Sequence, residues 1–415
     1  MKNNSLLKSV ELFLDDKPSV FALRQQARNV LENIGFPSKK NELWKYTDVK
    51  EIINSDFDIA EECEEKKCNC GCGEDCKKNE CFVDVKFCKG RLHIEDFVLP
   101  KGVNVLSMPE VLYEGEYKKY IFNSFDMEKH PFGALNGVYL EQGIVIEVEK
   151  DVECLKPLVI HYHNDGADKK QMNIHNIILL GVNAKVDIVE NFVSDNNNAY
   201  LMNVVNEIYL KKDSVCKHYK VQNESLSSYH IAQNAIQVYE GAKYKQIYYS
   251  KGAKISRNET NIDLMEKGAN AEVYTMYRAK NGCLTDITTN VNHKVMGVNS
   301  NQYAKAVLED GSRACFQGKV KIWKDAVECV GNQLHKALYL GDEAELNCKP
   351  ELEIYADDVK CSHGASSGAL DSDEIFYLTS RGIGKAEAEN MLIEAHLSEI
   401  SEMIENEKIK DCFFS

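Results

Sequence analysis

Apolar residues change their spacing twice along this chain. Within residues 19–37, SVFALRQQARNVLENIGFP, they recur at Leu23, Ala27, Val30, Leu31 and Ile34, the spacing of a helix with one apolar stripe. Gly35 fits a C-terminal cap, and Pro37 lies just beyond it. From about residue 90 to 365 the segments become strand-like. GIVIEVEKD alternates Ile144, Ile146 and Val148 with other residues, and NIILLGVNAKVDIVENF, NEIYLKKDSVCKHYKVQ and NAEVYTMYRAK behave alike. Helix signals are nearly absent between them, which argues against a sheet joined by crossover helices. Helical spacing returns at the end. Asp371 and Glu374 stand at capping-box separation, Ile375, Phe376 and Leu378 form an apolar face, and Gly382 stops the turn. A second helix then places Ala388, Met391, Leu392 and Ala395 on one face, continuing to Met403 and Ile404.

The strand-like segments are joined by tight turns with a small residue: Ala184, Ser214, Ala242, Ala269, Ser312 and Ala344. Their successive gaps are 30, 28, 27, 43 and 32 residues. A quasi-period near 30 suggests stacked coils of a β-solenoid, each burying its neighbour's face. An antiparallel sandwich also spaces short strands with turns, and the pattern alone leaves it open. Four regions follow: helical residues 1–60, a Cys-rich insertion or linker at 61–90, a β core at 91–368, and helical residues 369–415. The terminal helices either cover the open end of the β core, which would otherwise pair with other molecules, or form a docking surface.

Charge and motifs narrow the function. The net charge of −15 argues against a nucleic-acid partner. MKNNSLLKSVELFLDDK has no secretory h-region and no long apolar run exists, so no membrane span and a cytoplasmic location are expected. There is no phosphate-cradling GxxxxGK[ST], no HExxH, no GxSxG and no dinucleotide fingerprint, so no common enzyme class is indicated. His161 and His163 share a face of an apparent strand but lack a third ligand. Asp357 and Asp358, being adjacent, read as a solvated turn.

Two sets of thiols carry candidate chemistry. Seven cysteines (Cys63, Cys68, Cys70, Cys72, Cys76, Cys81 and Cys88) lie in a highly charged stretch poor in large apolar residues. Gly71 and Gly73 let neighbouring thiolates turn toward one metal, so zinc or an iron–sulfur cluster is possible chemistry there; the bland alternative is a thiol-rich insertion. The other eight, Cys154, Cys216, Cys283, Cys315, Cys329, Cys348, Cys361 and Cys412, read mostly as small buried apolar residues. Cys361 and His363 stand two apart and would share a strand face, with thiolate and imidazole chemistry suited to zinc or an iron–sulfur cluster. Two ligands are too few for a closed site, so either another chain completes it or both side chains merely pack.

KPELEIYADDVKCSHGASSGALDSDEIFYLTSRGI, residues 349–383, closely resembles the C-terminal signature of the SufB/SufD family, the scaffold subunits of the SUF iron–sulfur cluster assembly machine. NELWKYTDV, residues 41–49, resembles the N-terminal motif of the SufD branch, and residues 312–358 look like the last coils of the same core. The resemblance implies a right-handed parallel β-helix core flanked by helices and a scaffold with no ATPase of its own. It implies that the C-terminal helices, here Ile375, Phe376, Tyr377, Arg381, Met391, Leu392 and Ala395, dock a SufC-type ABC ATPase. It implies pairing with a SufB-type scaffold through the last coils, with His363, and less firmly Cys361, contributing to a transient cluster shared across that interface. HGAS together with WKYT favours the SufD branch. The Cys-rich stretch departs from the SufD pattern. A SufB-like or homodimeric scaffold that holds metal through its own cysteines is the alternative, and an exported-type β-helix carbohydrate enzyme is the reading from a different class.

Overall fold

The computed structural model describes residues 5–7, 17–59, 83–88, 91–93, 99–164, 169–194 and 197–414. Its centre is a parallel β-solenoid of about 8 turns, which removes the sandwich alternative. Each turn contributes one strand to each of two facing sheets. In sheet A, Lys170–Leu180, Leu201–Leu210, Tyr229–Val238, Ile255–Leu264, Leu284–His293, Arg313–Ile322 and Glu345–Ile354 follow one another in parallel. In sheet B the partners are Lys185–Val193, Val215–Asn223, Lys243–Ser250, Asn270–Ala279, Asn299–Leu308, Val330–Tyr339 and Lys360–Ala369. At the N-terminal end, Ile144–Val148 and the antiparallel strand Val103–Ser107 finish sheet A, and Leu158–His163, Val83–Cys88 and the antiparallel strand Arg91–His93 finish sheet B.

Pairing is in register, so like residues stack in columns. Ile208, Ile236, Ile262, Val291, Val320 and Leu352 form one such column inside the solenoid. Beside it runs an amide ladder: the Asn176 side chain donates to Asn206 and the Asn206 side chain donates to Asn234, each at 2.9 Å. Buried amides that satisfy one another from coil to coil cost little and fix the register, because a slip of one residue would orphan them.

The turns explain the quasi-period. On the edge leading from sheet A to sheet B, each coil places one residue at positive φ: Asn183, Asp213, Gly241, Gly268, Gly297, Glu328 and Asp358. A left-handed residue reverses the chain tightly. The residue near it is small and buried, at Ala184, Ser214, Ala242, Ala269 and Ala326, because the next coil lies directly against it. Ser312 and Ala344 belong to the opposite edge, where Gly282 and Gly311 take the positive φ. The gap of 43 residues is therefore a change of edge, not an insertion.

Helices cover both outer faces. Against sheet A lie α1 (Pro18–Ile34), α2 (Lys50–Asn54), α3 (Met108–Glu114) and α4 (Pro131–Val138). Ala27, Leu31, Trp44, Ile52, Phe132 and Leu135 pack on the outward residues Leu201, Tyr229, Ile231 and Ile255. Helix α1 buries Val20, Arg24, Ala27 and Leu31, a stripe rotated from the expected one, and leaves Ile34 exposed. Arg24 is tolerated there because its guanidinium donates to the Leu140 carbonyl at 2.8 Å. Helices α3 and α4 interrupt a region expected to hold strands.

At the other end stand α5 (Ser372–Ser380), α6 (Lys385–Ser401) and α7 (Glu407–Phe414). Ile393, Leu397, Ile400, Ile404, Ile409 and Phe413 pack on Tyr219, Ile247, Tyr249, Met276, Tyr303 and Val307 of sheet B. These helices therefore lie along the flank of the solenoid. The expectation that they cover its open end is corrected: the end strands stay uncovered, because the apolar surface that α6 and α7 match is on the outer face of sheet B. No helix among the described residues is long and apolar enough to cross a membrane.

Candidate functional site at the open end of the solenoid

Glu345–Ile354 and Lys360–Ala369 are the last strands of their sheets, each with one neighbour. Cys361 pairs in register with Gly331 and its side chain packs on the interior cluster. A Cβ at Gly331 would meet Sγ at an ordinary contact distance of 3.5 Å, so the two positions are direct neighbours in the column. By alternation His363 faces inward too, as do Ala365 and Ser367. On the facing strand, Leu346, Cys348 and Leu352 pack on interior clusters. Among the described residues no further coil covers this mouth, so His363 is exposed and Cys361 and Cys348 are half-buried.

The thiol donors at this mouth are held in their protonated form. Burial pushes the Cys361 thiol above its ordinary range, and burial pushes Cys348 to about 11. Both are thiols at neutral pH and become ligands only when a metal or base takes the proton. His363 makes no hydrogen bond or ion pair among the described residues. Gln333, its register partner, reaches across the interior and donates to the Glu351 carbonyl at 3.2 Å. On the outer rim, Lys319 and Lys321 pair with Glu351 and Glu353, and Lys349 bridges Glu351 and Glu42. Beside them Trp323 and Tyr355 are exposed, with the Lys321 ammonium 4.9 and 5.6 Å from their rings. No group of three or more His, Cys, Asp or Glu side chains that could hold a metal occurs among the described residues. Cys361 and His363 can offer two donors; a closed coordination shell needs more.

The remaining expected residues fall elsewhere. Cys63, Cys68, Cys70, Cys72, Cys76 and Cys81 lie outside the described residues. Cys88 ends the strand Val83–Cys88 with its backbone in register with His163, and its side chain is likewise outside the description. Asp357 and Asp358 sit exposed in the last turn, as expected. Helix α5 buries none of its residues: Phe376 is 72% and Tyr377 56% exposed, and the Arg381 guanidinium lies 4.5 Å over the Tyr377 ring. Ile375 and Leu392 are half-buried, while Arg381, Met391 and Ala395 are exposed. The expected docking residues thus form an uncovered apolar and aromatic surface.

Sequence reasoning missed a charged cluster sealed inside the solenoid. Lys220 Nζ lies 3.1 Å from His230 Nε2, donates to Asn258 at 3.0 Å, and sits 4.9 and 5.3 Å from the Phe192 and Tyr248 rings. His230 Nδ1 is 2.6 Å from Glu224, and His218 bridges Glu190 and Tyr244 at 2.9 Å each. Burial pushes Lys220 down to about 8. Burial also opposes the Glu224 charge, but His230 beside it brings that carboxyl below its ordinary value. Polar alternation at His218, Lys220 and Gln222 was the available signal, although it could not say which face was inside.

Residues 162–396, more than half the chain, match the family described as SUF system FeS cluster assembly, SufBD core domain, and residues 8–160 match the SufBD protein N-terminal region. An iron–sulfur cluster assembly SufBD family protein of Synechocystis is 29% identical over 92% of this chain and 86% of its own. The iron–sulfur cluster assembly protein SufD of Escherichia coli is 28% identical over 93% and 89%, and the chloroplastic protein ABCI7 of Arabidopsis thaliana 26% over 98% and 88%. The chain belongs to the SufB/SufD family of iron–sulfur cluster assembly proteins, on its SufD-like side.

Proposed function

We propose that this chain is a non-catalytic scaffold that assembles a cluster as cargo at the open end of its solenoid. The observation that carries this reading is the terminal strand Lys360–Ala369, exposed almost throughout, with His363 on its inward face at an unclosed mouth. His363 and Cys361 supply donors from this side, and a SufB-type scaffold pairing with the terminal strands supplies the rest. A SufC-type ATPase docks on α5 and the exposed side of α6. Membership of the family and the SufD-like relatives support this division of labour.

Point substitutions test it better than truncation, because removing α6 would uncover Tyr303 and its neighbours on sheet B. Phe376→Glu, at an exposed position, is expected to abolish co-purification of the ATPase while leaving the fold intact. Retention of the ATPase would remove the docking claim. Ser366→Glu on the terminal strand is expected to break pairing with the second scaffold, because it places charge where another backbone must approach.

The cysteines of 63–88 form a separate proposal, a zinc or iron–sulfur site of this chain's own. Anaerobic metal and sulfide analysis of the isolated protein, beside a variant lacking residues 61–81, decides it. Metal lost with the segment supports the site, and equal metal in both proteins refutes it.

A further inference from the structure

The outer face of sheet B carries lysines that end on the C-terminal helices instead of in solvent. The Lys217 ammonium pairs with Glu405 at 2.7 Å. Lys245, in register with Lys217, donates to the Met403 carbonyl, and Lys251 donates to the Phe413 carbonyl, each at 3.3 Å. Both carbonyls lie at or just beyond helix C-termini, where backbone acceptors are unpaired and the helix dipole is negative. Lys305 is the most enclosed of the set. It is 5% exposed, donates to the His396 carbonyl at 2.6 Å and pairs with Glu399 at 2.5 Å. The Tyr303 hydroxyl donates to the same carboxylate at 2.8 Å. The hydrogen bond from Lys305 holds the Glu399 carboxyl below its ordinary value.

Two features make this contact more than packing. First, α6 is divided along its length. Apart from Ala388, its buried residues begin at Ile393, while Met391 is exposed and α5 buries none of its residues. The helix is anchored at one end and presents the other. Second, the anchor sits on columns that run to the open end. Lys305 pairs with Lys336 and Lys336 with Ser366; Tyr303 pairs with Leu334 and Leu334 with Gly364, the neighbour of His363. These positions are linked from coil to coil by the paired backbones of strands stacked in register, so a displacement of the anchored strand is passed to its neighbours.

We infer that Lys305 is a positioning residue that latches α6 to the solenoid, so that a partner held on α5 acts on the terminal strand beside His363. The coupling half of this inference rests on the docking proposed above; the latch does not. An ammonium this enclosed needs its carboxylate, and the carboxylate reaches it only while α6 is docked.

Hydrogen exchange of the isolated full chain tests the latch. Lys305→Met keeps the volume and removes the charge; it is expected to speed exchange in residues 393–404 about tenfold or more while the neighbouring solenoid strands stay protected. Lys305→Arg is expected to restore protection. Glu399→Gln, at a half-exposed position that does not threaten folding, is expected to shift exchange in the same direction by a smaller factor. Unchanged exchange in both Lys305→Met and Glu399→Gln would overturn the latch. In the complex, Lys305→Met is expected to keep the ATPase bound but lower ATP-dependent cluster assembly. Undiminished assembly with the ATPase bound would overturn the coupling. If the wild-type chain fails to bind the ATPase, the docking reading and the coupling fall together, and the exchange data still decide the latch.

Discussion

At the scale of single residues, the interior of this solenoid is held by charge as well as by apolar packing. Lys220 lies between the carboxylates Glu190 and Glu224, with His218 and His230 completing the cluster. Lys220→Met would remove the ammonium that acts through space on both carboxylates, leaving each with its imidazole partner. It should cost about 3–5 kcal/mol of stability by chemical denaturation, and a loss near zero would mean that water reaches the cluster. Two further histidines set a pH window. Burial pushes His293 and His335 from 6.5 down to about 4. Between those values the unfolded chain binds protons that the folded chain refuses, so stability must fall as the pH is lowered from 6.5 toward 4. The loss is on the order of 3 kcal/mol per histidine. Denaturation midpoints at pH 7 and pH 4.5 check the sign, and a flat profile across that interval would contradict it. His363 is exposed, so His363→Ala should change stability by less than about 0.5 kcal/mol. The common face of Cys361 and His363 was legible because strand alternation sets it. The buried cluster was not. In VCKHYKVQN, Lys217 and Lys220 lie on opposite faces, and a strand with lysine on both faces reads as half-solvated. Both faces are in fact covered, one by sheet A and the other by the terminal helices.

At the scale of elements, the turns do the most to define the fold. One residue per turn takes positive φ, and the small residue near it allows the next coil to stack. Gly282 isolates the backbone term, since its φ is +72° and a Cβ there would meet nothing within 4 Å. Gly282→Val should therefore cost about 1–2 kcal/mol from left-handed strain alone, whereas Gly282→Asn should be nearly neutral. Equal costs for the two in denaturation experiments would point to a steric origin instead. The quasi-period was readable because stacking in register repeats the turn chemistry at each coil. Helices α3 and α4 were missed for different reasons. Helix α3 announces itself in SMPE, where Ser107 and Glu110 form a reciprocal capping box, a signal that was available. Helix α4 offers only Pro131 at its first position: all eight residues of PFGALNGV are buried, so no amphipathic period exists to read. In α6 the period was right and the face was rotated. The sequence shows two apolar stripes, and only contact with Tyr303 and its neighbours selects the one containing Ile393, Leu397 and Ile400.

At the scale of the whole molecule, the asymmetry of the solenoid is the functional statement. Its N-terminal end finishes in antiparallel strands and both flanks are covered by helices, but its C-terminal end stops at two bare strands. Natural proteins guard such edges with charge and proline. Glu345–Ile354 does so, with Pro350, Lys349, Glu351 and Glu353. Lys360–Ala369 has no charge after Lys360 and no proline, only small residues, a thiol and the His363 imidazole. An unguarded edge of this kind is suited to meet another backbone, and a donor set of two is suited to be completed by another chain. The most direct measurement is cluster yield from the complex of this chain with the proposed partner scaffold and ATPase, comparing wild type with His363→Ala. An intact complex with sharply reduced cluster yield is the predicted result. An intact complex with unchanged yield would contradict the assignment of the open end as the assembly site.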